Sequence, residues 1–216
     1  MREQIIQKVL DKKIVAIVRG VYGEDCVNLA RALCEGGIEL LEVTFDQSKP
    51  ESLNRTSDTI RQLVQALGDK MIFGAGTVTT LEMLELARNA GAQFVVSPDT
   101  NEEVIKATVA AGMVSMPGAL TPTEIVTAHR YGADFVKLFP AGTQGTAYFK
   151  AVTAPLNHIR LLAVGGVNEK NIADFMAAGA VGAGVGGNLV NKTWIANGEF
   201  DKITALAKEF TEKAGV

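Results

Sequence analysis

A lysine in the middle of an apolar strand is the residue in this sequence best placed to do chemistry. Lys137 lies in ADFVKLFPAG (residues 133–142), between Phe135, Val136, Leu138 and Phe139. A run this rich in aromatic and β-branched residues, closed by Pro140 and Gly142, reads as a strand followed by a turn. Lysine is almost never fully buried without a partner or a task. Burial disfavours its charged form, and the neutral amine can attack a carbonyl and form a Schiff base. The segment also fits a strand-end lysine whose ammonium snorkels to water. A second candidate lies in IELLEVTF (residues 38–45), where Glu42 shares a strand face with Leu40 and Thr44. An inward Glu42 could meet Lys137 across a barrel; the plainer reading makes it a salt-bridge partner that neutralises the lysine. A third signal is the pair of loops Gly165-Gly166-Val167-Asn168 and Gly186-Gly187-Asn188. Glycine lets backbone N–H groups approach a ligand, and a following helix N-terminus favours an anion such as phosphate. Tight turns alone would also account for the glycines.

These residues need a scaffold that brings distant strands to one end. Apolar strand-sized runs occur at 14–18, 38–45, 70–75, 93–97, 113–116, 134–139, 159–164 and 180–185. Helical periodicity follows them at 24–35, about Pro50 to Leu67, 80–89, 101–111, 121–131, about 145–153, 169–178 and the C-terminal segment, usually with an alanine-glycine stop. Continuous apolar strands imply a parallel sheet covered on both faces. The expectation is an α/β chain forming a single (β/α)8 TIM barrel over residues 1–216, preceded by a short N-terminal helix at 2–11. Active sites of this fold lie at the C-terminal strand ends, with phosphate sites in the loops after strands 7 and 8. Arg19, Glu42, Thr44, Thr77, Ser97-Pro98-Asp99, Lys137 and both glycine loops all fall there.

Composition narrows the function. Of 216 residues, 47% are hydrophobic and 21% charged, which suits a folded core rather than disorder. The net charge of −3 comes with no basic cluster interleaved with aromatics, so nucleic acid is not an expected partner. Cys26 and Cys34, about 12 Å apart along one expected helix, are too distant for a disulfide and read as packing residues in a reducing compartment. Met1 to Leu10 is polar and amphipathic rather than a secretory signal, and no apolar run is long enough for a membrane span. The expected location is the cytoplasm. His129 and His158 fall away from the strand C-termini and read as surface residues; Trp194 reads as a packing or subunit contact.

The motifs LLEVT (40–44), GAGTVT (74–79), SPD (97–99), PGALTPTE (117–124), VKLFPAG (136–142) and GGVN (165–168) together resemble the KDPG/KHG aldolases. These class I aldolases cleave 2-keto-3-deoxy-6-phosphogluconate or 4-hydroxy-2-oxoglutarate to pyruvate and an aldehyde. The resemblance runs in unbroken order from about residue 12 to the end. It implies that Lys137 forms the Schiff base and that Glu42 shuttles protons through a water. It further implies that Thr77 contacts the pyruvyl carboxylate, with Pro98 and Phe139 as pocket walls, and that Gly165, Gly166, Gly186, Gly187 and Asn188 hold phosphate. Such enzymes need no metal or other cofactor and are typically homotrimers. Two departures bear on the substrate. Many members carry an arginine where this chain has Asp46, and Arg19 could supply that cation to the substrate carboxylate. Val164 stands where many have threonine. Relatives acting on the C4 epimer, 2-keto-3-deoxy-6-phosphogalactonate, resemble this chain in both features. The competing classes are a phosphosugar isomerase or epimerase, which would want paired acids or a His/Asp metal set, and a non-catalytic phosphate-binding barrel.

Overall fold

The computed structural model describes residues 1–48 and 51–216. The chain opens with α1 (Arg2–Lys12), then alternates strand and helix: β1 (Ile14–Val18), α2 (Gly23–Glu35), β2 (Leu40–Thr44), α3 (Glu51–Leu67), β3 (Ile72–Gly76), α4 (Leu81–Asn89), β4 (Phe94–Val96) and α5 (Glu102–Ala110). The second half continues through β5 (Val114–Met116), β6 (Gly118–Ala119), α6 (Pro122–Arg130), β7 (Val136–Leu138), α7 (Ala141–Thr153), β8 (Leu161–Val164), α8 (Ile172–Ala177), β9 (Gly182–Val185), α9 (Lys192–Ala196) and α10 (Phe200–Ala214). All pairings are parallel, in the order β5-β4-β3-β2-β1-β9-β8-β7-β6.

The fifth expected strand is in two pieces. Pro117 has no N–H to give to a ladder, and the chain changes partner across it. Val114 pairs with Phe94 on β4, whereas Gly118 pairs with Lys137 on β7. The Lys137 N–H donates to the Pro117 carbonyl at 2.8 Å, so the break sits against the lysine. The TIM barrel thus closes through one strand shared between two neighbours.

Side-chain alternation sorts two apolar layers. Ile14, Ala16, Val18, Leu41, Val43, Val136 and Leu138 belong to the outer layer under the helices. Val15, Leu40, Phe94, Val114, Phe135 and Leu162 fill the interior, where Ile5, Ile6 and Val9 of α1 pack against them. The N-terminal helix is therefore a plug for the bottom of the barrel. Glu39, the other acid of its strand segment, is used there: it pairs with Lys8 and Lys12 of α1. Glu42, Lys137 and Thr44 share the inward face, beyond the apolar layers, at the opposite end.

Helix boundaries differ locally from expectation. The helix after β7 starts at Ala141 instead of Gly145, as two helical pieces joined where Gly145 takes φ 78°. The turn before α8 runs on to Asn171, and the expected C-terminal helix is preceded by the short α9. The expected helix start at Pro50 lies outside the described residues. Cys26 is buried on α2, which with Asp25 nearby pushes its thiol up to about 12; Cys34 is partly buried, and both thiols are free.

Lys13 ties the chain's ends together. Its Nζ donates to the carbonyls of Ala214 (3.1 Å) and Gly215 (2.9 Å), at the C-terminus of α10. A cation there satisfies carbonyls that the helix leaves without partners and faces the negative end of its dipole. Lys13→Met is expected to lower the unfolding free energy by about 1–2 kcal/mol, measurable by urea denaturation, without changing activity.

Candidate active site

A cavity of about 280 Å³ opens at the C-terminal ends of the strands. Arg19, Glu42, Thr77, Pro98, Lys137, Phe139, Val164, Gly165, Gly166, Gly186, Gly187 and Asn188 all line it. Residues expected at the ends of seven strands are thus brought to one space. Thr44 is the exception: it is buried and donates its hydroxyl to the Val18 carbonyl at 3.2 Å, so it braces β2 on β1 rather than lining the cavity. Ile17, Val167 and Gly184 also line the wall. Ile17 and Gly184 could have been found in the sequence, because each lies two residues before an expected site residue and shares its strand face.

Lys137 and Glu42 form the cavity floor and also border the apolar interior below, among Val15, Val96, Met116 and Leu162. That position determines their chemistry. Lys137 is only 9% exposed, which leaves no room for snorkelling to bulk water. Burial pushes its pKa down; Glu42 opposes the shift and Arg19 adds to it. Glu42 is 2% exposed, and burial pushes its carboxyl up to about 7 against the attraction of Lys137 and Arg19. Its Oε2 has no hydrogen-bond partner among the described residues. Desolvation outweighs the mutual attraction, so the two are not locked as a permanent ion pair: the amine gives up its proton more readily than an exposed lysine, and the carboxyl holds one up to about 7. Lys137 Nζ lies 4.8 Å from the ring centroid of Phe139, which is 40% exposed at the mouth.

The strand-3 end carries strain. Thr77 has φ 59°, a left-handed conformation that a β-branched residue rarely adopts, at a cost of about 1–3 kcal/mol. The next residue is clamped on both sides: Val78 N–H donates to Val96 O at 3.3 Å, and Ser97 Oγ donates to Val78 O at 2.6 Å. Arg19 Nη2 donates to Thr77 Oγ1 at 3.2 Å, joining the cation to the hydroxyl. Ser97→Ala frees the Val78 carbonyl and lets Thr77 relax. The expected result is a KM about fivefold higher with kcat nearly unchanged, the pattern of lost ground-state binding, read by steady-state kinetics. At the position where an arginine would be expected, Asp46 accepts from the backbone N–H (3.0 Å) and hydroxyl (2.7 Å) of Ser48.

The two glycine loops lie side by side at the cavity, at the ends of the neighbouring strands β8 and β9. Gly165 and Gly166 have φ 85° and 79°, and a Cβ on Gly165 would lie 2.9 Å from the Phe139 ring, so the loop needs glycine for conformation and for space. Gly165 O accepts from Gly142 N–H at 2.7 Å, and Asn171 braces the turn through Asn168 N–H and Gly166 O. Asn188 donates its Nδ2 to Val167 O at 2.8 Å, tying the loop after β9 to the loop after β8. His129 and His158 are exposed and contact each other edge to face, with ring centroids 5.5 Å apart. Trp194 lies partly buried on α9 and packs against the outer apolar layer. Among the described residues, no group of three or more His, Cys, Asp or Glu could hold a metal ion.

Comparison with known proteins places the chain among aldolases. A family model described as KDPG and KHG aldolase matches residues 5–206. The 2-dehydro-3-deoxy-phosphogluconate aldolase of Treponema pallidum is 37% identical over 208 residues, covering 94% of each chain. The 2-dehydro-3-deoxy-6-phosphogalactonate aldolase of Escherichia coli is 33% identical over 200 residues, covering 92% of this chain and 95% of its own. A solved KDPG aldolase from Legionella pneumophila, with pyruvate captured at low pH as a covalent carbinolamine, superposes with a TM-score of 0.83. It is 26% identical and covers 94% of this chain and 96% of its own.

Proposed function

The chain belongs to the KDPG and KHG aldolase family, and on that premise we propose that it is a class I aldolase cleaving a 2-keto-3-deoxy-6-phospho sugar acid to pyruvate and glyceraldehyde 3-phosphate. The observation that carries this reading is a buried, depressed-pKa Lys137 beside a buried Glu42 raised to about 7, on the floor of one cavity.

The neutral Nζ of Lys137 attacks the C2 carbonyl to give a carbinolamine, which loses water to an iminium. Glu42, through a bridging water, takes the proton of the C4 hydroxyl. The C3–C4 bond then breaks, and its electron pair moves into the iminium to give the enamine of pyruvate, while C4 leaves as the aldehyde. Returning a proton to C3 and adding water to the iminium release pyruvate and regenerate the amine. Thr77 and Arg19 would hold the substrate carboxylate, an arrangement in which the guanidinium can bind both oxygens. Pro98 and Phe139 wall the pyruvyl end. Backbone N–H groups of the Gly165-Gly166 and Gly186-Gly187 loops, with Asn188, would receive the phosphate. The partner is a small phosphorylated keto acid, with no nucleic acid or membrane component. Among the described residues no helix is long and apolar enough to cross a membrane. We place the enzyme in the cytoplasm as a homotrimer.

The galactonate epimer is the second reading, favoured by the apolar Val164 in the cavity wall and by Arg19 reaching the same space. Pyruvate release measured with both C4 epimers, and with 4-hydroxy-2-oxoglutarate as the source of pyruvate and glyoxylate, tests these choices. Turnover of either phosphorylated epimer supports the lyase reading and assigns the stereochemistry. Turnover of neither rejects the substrate class and leaves a phosphosugar isomerase or epimerase, or a silent phosphate-binding barrel.

A further inference from the structure

The proposed carboxylate base must be held as well as desolvated, and its own strand does not explain how. Gly76 ends β3 directly opposite Thr44 and diagonally from Glu42. It does not have positive φ, so its backbone would accept any side chain. What excludes a side chain is space. A Cβ at residue 76 would lie 2.7 Å from Cδ of Glu42, closer still to Oε1, and 2.9 Å from Cγ2 of Thr44. The glycine's backbone is fixed, because its carbonyl accepts from Phe45 N–H at 2.9 Å and it pairs with Val96 on the other side.

We propose that Gly76 is the positioning residue for the Glu42 carboxylate: the missing side chain forms the niche that Oε1 occupies, which fixes the carboxylate group at the cavity floor. This rests on the reading of Glu42 as the base. Two facts meet in it. Among the described residues Oε2 is buried without a hydrogen-bond partner, so no hydrogen bond aims that oxygen and shape must do that work. The space beside Oε1 is bounded by a backbone that cannot retreat. A methyl group would meet two side chains, the Thr44 methyl and the end of Glu42, and would displace the longer one, Glu42, away from β3 and towards the cavity.

The test is Gly76→Ala, with Gly76→Ala/Thr44→Ser as a second variant. The serine removes the methyl that a Cβ at residue 76 would also meet, while keeping a hydroxyl for Val18 O. Both variants are assayed for cleavage, for exchange of pyruvate methyl protons with deuterated solvent, and for borohydride trapping of pyruvate. Misplacing a reacting group by about 1 Å can cost about 100-fold. In both variants kcat and the exchange rate should fall together by about 10- to 100-fold, with KM within about threefold and full trapping. The acid limb of the kcat–pH profile should also move to lower pH, because the carboxylate shifts towards the more open cavity. Cleavage within about twofold of the parent overturns the proposal. So does loss of trapping and cleavage together in both variants, because the effect would then not run through the carboxylate. Failure of the parent enzyme to trap pyruvate would instead strike at Lys137 and the class I reading itself.

Discussion

Lys137→Met is expected to abolish cleavage, with kcat lower by about 10⁴-fold or more, while the barrel remains folded. Methionine matches the length of the lysine stem and suits the apolar surroundings of Val96, Met116 and Leu162. The parent pays for a buried amine, since its pKa is pushed down by desolvation. For a lysine depressed in the fold, protonation favours the unfolded chain, so stability from this group falls as pH drops below its unfolded value. Removing it should therefore leave the thermal midpoint unchanged or higher at neutral pH. A variant that keeps wild-type turnover would show that the amine is not the nucleophile. One that unfolds would show that the lysine is structural.

Glu42→Gln should also separate activity from stability, with the opposite pH dependence. The amide cannot accept the C4 hydroxyl proton, and kcat is expected to fall by about 10²- to 10⁴-fold. The acid limb of the kcat–pH profile, which in the parent should lie near the carboxyl's value of about 7, should disappear. The folded-state value is raised above the unfolded one, so the folded protein holds the proton more tightly. The stability linked to this group is then fully present below the unfolded value and lost as pH rises through 7. Glutamine keeps the shape without the charge. It is expected to stabilise the protein by about 3 kcal/mol at pH 8, falling to about 1 kcal/mol at pH 5. Urea denaturation of both proteins at the two pH values checks this. An equal ΔΔG at both would mean that the carboxyl is not raised.

The fold was legible because parallel barrel strands are buried on both faces and stand out as short apolar runs between helical periods. The chain departs from that pattern where one residue changes the local rule. Pro117 divides the fifth strand, and the Ala141-Gly142 start of α7 resembles a loop until the break at Gly145 is seen. Lys137 and Glu42 could be found as polar residues inside apolar strands. Thr44 looked equivalent to Glu42 because the two share a face, yet its hydroxyl has a backbone partner on β1. Two further features have no signal in one sequence. The left-handed backbone of Thr77 depends on clamps from Val96 and Ser97, and the niche at Gly76 depends on the register that sets β3 against β2. Both are properties of strand pairing rather than of residue type.

The most direct measurement is the intact mass of the protein after incubation with pyruvate and sodium borohydride, followed by a peptide map. Reduction converts a Schiff base into a stable secondary amine. One adduct per chain, mapped to Lys137, is the predicted result. A folded protein that gains no adduct, or gains one on a different lysine, would contradict Lys137 as the Schiff-base nucleophile.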